Sequence, residues 1–200
     1  MRLFAGTFLV FAATVAAPPR LLADDKVKPP EYLPLKEGLK WHYQLEANGQ
    51  KLQIVTQIAK IEAINGQSLA RFETVVNGNV AASEHYSVTT KGIFRHRFNG
   101  VEISPPVCVL KFPVKNGDSW ESENEVGEQT AKMACRVVTE EVEVPAGKFK
   151  TVSVQVVGDA AGMKITTTYW FAAGIGIVKQ IAEIAGQKIE MKLEKIERGQ

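Results

Sequence analysis

Apolar and polar residues alternate one by one through most of the chain after about residue 40. A period of two places the apolar members of each run on one face of a β-strand and leaves the opposite face to solvent. Val, Ile and Thr dominate these runs, as is usual in half-buried strands. The clearest apolar series are Trp41, Tyr43, Leu45; Leu52, Ile54, Ile58; Val152, Val154, Val156; Ile165, Tyr169, Phe171; and Ile189, Met191, Leu193.

Tight-turn sequences separate these runs. Asn-Gly occurs at 48–49, 65–66, 77–78, 99–100 and 116–117, and both residue types tolerate the positive φ of a type I′ hairpin turn. Further turns are predicted at 144–147 (Val-Pro-Ala-Gly) and 159–162. The pattern predicts an all-β protein: an antiparallel meander of about 12 strands that forms a barrel, a half-barrel or a two-layer sandwich.

One motif occurs twice. The pattern Pro-apolar-Lys-x-Gly-x-x-Trp spans residues 34–41 and again residues 113–120, an offset of 79 from Trp41 to Trp120. This repetition favours a duplicated six-strand unit, with half-repeats at about 34–104 and 113–198. The alternative is that any meander repeats its turn residues.

The first 23 residues have the composition of a secretory signal peptide. A short positive start (Met1, Arg2) precedes an apolar run from Leu3 to Ala17, and Ala23 offers a small residue for cleavage. The run is shorter than the roughly 20 residues that a membrane-spanning helix needs, so we expect no transmembrane segment after cleavage. The predicted organisation is a signal peptide (1–23), a flexible leader (24–33) and a single β domain (34–198), exported to the periplasm or the medium.

Loss of the signal peptide also changes the charge balance. It removes two of the 24 basic residues and none of the 22 acidic ones, so the mature chain carries equal numbers of both. A nucleic-acid partner would require a clustered basic surface, and we expect none. Arg95 and Arg97 are expected on the outer face of one strand, where they form a small solvated basic spot.

Candidate catalytic or metal-binding residues are few. The alternation places His42 and His85 toward water and His96 on the core face, and none has a partner at a useful spacing. Glu121, Glu123 and Glu125 form a row that calcium could accept, but a linear row converges poorly on one ion. No cofactor or metal motif is present in the sequence, and we expect a non-catalytic protein.

The two cysteines, Cys108 and Cys135, are both expected to face the core. An oxidising compartment and an even count favour a disulfide between them. The alternative follows from geometry: a strand lying between theirs would put them about 9.5 Å apart, whereas a bridge needs Cα atoms within roughly 7 Å.

Several phrases resemble a group of uncharacterised exported bacterial β proteins. They are Phe-Pro-Val-Lys-x-Gly-x-Ser-Trp at 112–120, Val-Pro-Ala-Gly-Lys-Phe at 144–149 and Tyr-Trp-Phe-Ala-Ala-Gly-Ile-Gly-Ile-Val-Lys at 169–179. Members of that group commonly have Pro where this chain has Ala173. The chain is also distantly similar in expected fold to the half-barrel carriers that ferry lipoproteins across the periplasm, an analogy that does not fix function.

Two functions fit these observations. The first is binding of a hydrophobic or lipid-like small molecule on the apolar face of the sheet, with a candidate groove at Ile165, Tyr169 and Phe171 and with Trp170 on the opposite face of the same strand. The second is a structural or assembly role in the cell envelope, with an envelope-protein partner and no small-molecule ligand.

Overall fold

The computed structural model describes residues 30–160 and 162–198. The predicted signal peptide and most of the predicted leader lie outside the described residues. The described part contains twelve strands: β1 (Lys40–Ala47), β2 (Gln50–Ile64), β3 (Gln67–Val76), β4 (Asn79–Thr89), β5 (Gly92–Phe98), β6 (Val101–Lys111), β7 (Ser119–Val126), β8 (Gln129–Val144), β9 (Gly147–Ala160), β10 (Met163–Ala172), β11 (Gly176–Ile184) and β12 (Gln187–Glu197).

The strands form one closed antiparallel barrel in which each strand pairs with its neighbours in sequence. The ring is completed by β1 and β12, which pair from Lys40 opposite Glu197 to Ala47 opposite Ile189. The predicted all-β meander is therefore confirmed, and among the three architectures left open the barrel is the one adopted. Closure removes the exposed edge strands that an open sheet would present.

Four of the five Asn-Gly pairs form hairpin turns with positive φ at both residues. The Asn φ values are 47–51° at Asn48, Asn65, Asn77 and Asn99, and each following glycine lies at 75–82°. The fifth pair behaves differently: Asn116 is in the loop between β6 and β7, and its Oδ1 accepts a hydrogen bond from the Thr139 amide at 2.9 Å. Ala185 (φ 49°) and Gly186 form a further hairpin turn. The sequence does not indicate this turn type, because alanine rarely adopts positive φ.

The two ends of the barrel differ. We call the end that carries the β1–β2, β3–β4, β5–β6, β7–β8, β9–β10 and β11–β12 turns the upper end, and the opposite end the lower end. Apolar side chains beside the upper turns, including Phe98, Val101 and Met163, are exposed. At the lower end, Leu33, Leu39 and Phe171 are buried. The barrel is therefore plugged below and more accessible above.

Part of the plug comes from the predicted leader. Leu33 is only 3% exposed and belongs to the core. The carbonyl of Glu31 accepts a hydrogen bond from the Gly174 amide at 2.8 Å. The centroid of the Tyr32 ring lies 6.2 Å from that of the Phe112 ring. Residues 30–33, at the end of the predicted leader, therefore lie against the lower end, where Leu33 is buried.

The junction between β6 and β7 has the fewest backbone pairs in the ring. Backbone pairing is confined to Ile103 opposite Val126 and Ser104 opposite Glu125. Pro105 and Pro106 follow in β6, and proline cannot donate to a strand ladder. Side chains of β7 take over: Asn124 Nδ2 donates to the Pro105 carbonyl at 2.7 Å, and Trp120 Nε1 donates to the Cys108 carbonyl at 3.2 Å. Two backbone pairs and two side-chain bonds therefore join the barrel here.

Candidate ligand-binding cavity

The barrel encloses a cavity of about 470 Å³. Its volume falls within the range of roughly 300–1,000 Å³ that is typical of small-molecule sites. Inner-face side chains from both halves of the chain line it, and most of them are apolar. Phe98 both lines the cavity and is exposed beside an upper turn, so the cavity reaches the upper end.

Three of the four predicted groove residues line this cavity. Ile165, Tyr169 and Phe171 alternate along β10 and point inward. Trp170 does not: its Nε1 donates to Glu140 Oε1 at 2.8 Å, and Lys179 Nζ lies 5.0 Å from its ring centroid. The indole is therefore engaged on the outer surface, as the alternation requires. Binding of a ligand by the inner three stays a prediction.

An aromatic group forms the lower wall of the cavity. The Trp41 and Phe72 rings stack with centroids 5.7 Å apart, and Phe72 meets Tyr86 edge to face at 5.1 Å. The indole Nε1 of Trp41 donates to the Ile175 carbonyl at 2.7 Å. Such aromatic pairs add packing energy beyond their buried area and restrict one another's orientation. This wall is therefore pre-formed and apolar.

Four polar side chains meet inside the barrel beside this wall, and we call them the polar centre: Glu84, Tyr86, Arg95 and Tyr169. Arg95 Nη1 donates to Glu84 Oε1 at 3.1 Å, and the Tyr86 hydroxyl donates to the same oxygen at 3.1 Å. Arg95 Nε is buried and has no hydrogen-bond partner among the described residues. Three of these side chains come from β4 and β5, and Tyr169 comes from β10 on the other side of the ring.

Burial sets the protonation of the two phenols. It raises the pKa of Tyr86 well above its usual value, and the neighbouring Glu84 carboxylate raises it further. Burial also raises the pKa of Tyr169, although the Arg95 guanidinium acts in the opposite direction. Both hydroxyls therefore keep their protons at neutral pH, and the guanidinium keeps its charge. The polar centre is rich in hydrogen-bond donors, with Glu84 as its charged acceptor.

The sequence placed Arg95 on the outer surface, and this was wrong. The ladder is irregular at two points of β5, between Ile93 and Phe94 and between Arg95 and Arg97. Ile93, fully buried, shares its face with Arg95, so the odd-numbered residues point inward at the start of the strand. The aromatic Phe94 suggested the other face. A bulge inserts one unpaired residue into a strand. The alternation of inward and outward side chains is therefore shifted by one position beyond it, and the sequence alone does not show where this happens.

Two of the three histidines differ from their expected environments. His96, expected in the core, is partly exposed, and its Nε2 lies 2.8 Å from Ser87 Oγ. His85, expected to face water, is 6% exposed and its Nε2 lies 2.7 Å from Glu62 Oε2. His42 remains on the outer face, 3.0 Å from Glu197. None of the three lines the cavity.

Cys135 and Cys108 are both free thiols in the structure. Cys135 is buried and shares the inner face of β8 with Met133 and Val137. Cys108 is only partly buried and alternates with Val107 and Val109, which line the cavity. The expectation that both face the core therefore fits Cys135 and not Cys108. The disulfide between them stays the alternative to two free thiols, and alkylation tests it.

The acidic row of β7 is exposed at all three positions, and Glu123 lies 3.5 Å from Lys132. In the part of the chain that the structure describes, no group of three acidic, histidine or cysteine side chains is arranged to hold a metal ion.

The chain matches no protein-family model and no curated protein. Two solved structures are similar to it. A candidate lipoprotein from Parabacteroides distasonis is 13% identical, with a TM-score of 0.53 over 85% of this chain and 100% of that one. A candidate exported protein with a YmcC-like fold from Bacteroides fragilis is 16% identical, with a TM-score of 0.48 over 82% of this chain and 98% of that one. The first likeness shows the fold of the barrel. No helix within residues 30–160 and 162–198 is long and apolar enough to cross a membrane.

Proposed function

We propose that this chain is an exported, non-catalytic binding protein that holds a hydrophobic or lipid-like molecule inside its barrel. The cavity is the observation that supports this most directly. Its volume of about 470 Å³ and mostly apolar lining suit the burial of a small apolar molecule. A barrel of about eight strands is just wide enough for its own side chains to fill, whereas twelve strands leave room for a ligand.

Export is supported by two observations. The first 23 residues have the composition of a secretory signal peptide. The Parabacteroides distasonis protein that shares the fold is described as a candidate lipoprotein, a class of exported protein. We therefore propose a periplasmic or extracellular location.

A non-catalytic role is supported by the side chains that face the cavity. The charged ones are Glu84, Arg95 and Asp159, and no described histidine or cysteine lines the wall. Glu84 and Arg95 neutralise each other at 3.1 Å. The described lining residues include no serine, cysteine or histidine, the residue types that form the common nucleophile–base pairs of hydrolases.

The test is to purify the mature protein under native conditions and to weigh it intact before and after extraction with organic solvent. We expect a stoichiometric apolar molecule to leave with the solvent, or, if purification strips it, we expect the apo protein to bind the apolar dye N-phenyl-1-naphthylamine with one site. A clean apo mass together with no dye binding would instead support the structural or assembly role.

A further inference from the structure

Arg95 presents hydrogen-bond donors to the cavity. Its side chain lines the cavity and is 21% exposed. Its guanidinium has five N–H groups. Nη1 donates to Glu84, and Nε is enclosed by protein. An acceptor atom of a bound molecule can therefore bond to the N–H groups of Arg95 that face the cavity.

The charge of the polar centre restricts what that acceptor can be. The Arg95 charge is already balanced by Glu84 at 3.1 Å. Tyr86 and Tyr169 are neutral donors. A ligand carboxylate would bring a second negative charge into a partly enclosed site with one positive charge, and an uncompensated charge there is unfavourable. An uncharged acceptor keeps the centre neutral.

The surroundings of the polar centre restrict the rest of the molecule. Beside it lies the aromatic wall of Trp41 and Phe72. Elsewhere the lining consists mainly of aliphatic side chains, such as Val107, Met133 and Ile165. The complement of such a site is one polar atom attached to an apolar chain.

We propose that the barrel binds an apolar chain that carries an uncharged carbonyl group, as in an acyl ester or a long-chain ketone, with the carbonyl oxygen accepting from Arg95. This proposal rests on the proposed function and deepens it by naming the ligand class. Glu84 then acts as the selectivity determinant, since its charge is what disfavours free carboxylates.

The experiment measures displacement of N-phenyl-1-naphthylamine from the full mature protein at pH 7.5 by undecane, 2-undecanone and undecanoate. These compounds have equal carbon number and differ in the polar group. We expect 2-undecanone to bind about tenfold more tightly than undecane, as a hydrogen bond to a charged donor allows, and more tightly than undecanoate.

The decisive variant is Glu84→Gln. Glutamine can still accept from Arg95 and Tyr86, but it leaves the guanidinium charge unbalanced. We expect undecanoate to gain at least tenfold and to overtake 2-undecanone. The matched control is Glu102→Gln, which removes the carboxylate 3.4 Å from Arg97 on the outer surface. It should leave the order of the three compounds unchanged.

The double variant Glu84→Met/Arg95→Met covers the case in which the single variant misfolds, because it replaces both charges by apolar side chains. In this variant, 2-undecanone should lose its advantage over undecane.

The outcomes separate the two proposals. If the three compounds bind equally well to the unmodified protein, or if undecanoate binds best, the barrel is a hydrophobic carrier and the carbonyl proposal is wrong. The same holds if Glu84→Gln folds and leaves the order unchanged. If neither the dye nor any of the three compounds binds, the proposed function itself fails, and the ligand class with it.

Discussion

Gly38 and Gly117 make the same hydrogen bond in the two halves of the barrel. The Gly38 amide donates to the Ile58 carbonyl at 2.9 Å, and the Gly117 amide donates to the Val137 carbonyl at 3.0 Å. Both glycines have positive φ, 76° and 83°. Donors and acceptors are each separated by 79 residues, the offset that relates the two Pro-apolar-Lys-x-Gly-x-x-Trp motifs.

A second pair of hydrogen bonds, donated by the same two strand residues, also matches between the halves. The Ile58 amide donates to the Leu39 carbonyl at 3.0 Å, and the Val137 amide donates to the Asp118 carbonyl at 2.8 Å. Each motif thus forms the same entry into the first strand of its half, β1 or β7, and ties it to the following strand. The duplication stays a prediction, and this shared geometry supports it.

Equivalent glycines should respond equally to substitution. We expect Gly38→Ala and Gly117→Ala each to lower the free energy of unfolding by about 1–2 kcal/mol, because a Cβ disfavours positive φ. Gly38→Asn and Gly117→Asn should cost less, since asparagine tolerates this conformation. Urea unfolding of the four variants is the measurement. A large cost at one glycine and none at the other would contradict the equivalence of the two turns.

Gly92 should be far less replaceable than Gly49. A Cβ at Gly92 would lie 2.3 Å from the Leu110 carbonyl oxygen, and its φ is 152°. A Cβ at Gly49 would meet no atom within 4 Å, although φ is 75°. We expect Gly92→Ala to cost about 3 kcal/mol or more and Gly49→Ala about 1 kcal/mol. Urea midpoints check this, and equal costs would show that β5 can move away from β6.

Filling the cavity should abolish ligand binding without unfolding the barrel. Ala131 lines the cavity, whereas Ala134 on the same strand is exposed on the outer face. We expect Ala131→Phe to reduce binding of N-phenyl-1-naphthylamine at least tenfold, because the added ring occupies the ligand volume. Ala134→Phe is the matched control and should bind normally. Equal dye binding by the two variants would place the dye outside the barrel.

Acid should weaken the barrel partly through Glu62. Hydrogen bonds from Lys60 and His85 lower the pKa of Glu62 from 4.5 to about 2. A carboxyl whose pKa is lower in the folded than in the unfolded state stabilises the fold above pH 4.5 and loses this contribution as the pH falls toward 2. We expect the urea midpoint to fall between pH 5 and pH 3, and to fall less in Glu62→Gln. The control Glu123→Gln removes an exposed carboxylate; if it reduced the fall as much, Glu62 would not be the cause.

The thiols should be available but slow to react. Burial raises the pKa of Cys135 to about 12 and also raises that of Cys108, and the thiolate is the reactive form. β7 lies between their strands, about two strand spacings or 9.5 Å. We expect two alkyl groups on unreduced, denatured protein and slow alkylation of the native protein, by mass. A denatured chain that takes up alkyl groups only after reduction would establish the disulfide.

The sequence predicted the strands well and the polar centre poorly, for a physical reason. Turn residues and alternation are local, so the meander and the inner position of Ile165, Tyr169 and Phe171 could be predicted from them. Arg95 could not, because the irregularities in β5 reverse the expected face. Its meeting with Tyr169 depends on the closure of the ring, which brings together residues 74 positions apart in the chain.

The order of the strands also has a consequence for how the barrel folds. Eleven of the twelve strand pairings join neighbours in sequence, and only β1 with β12 joins distant segments. Local hairpins close small loops at low entropic cost, whereas the last pairing must close a loop of most of the domain. The Trp41 indole bonds to the Ile175 carbonyl, across that final junction. Its fluorescence should therefore report the slow step of refolding, in which a curled sheet of hairpins becomes a ring.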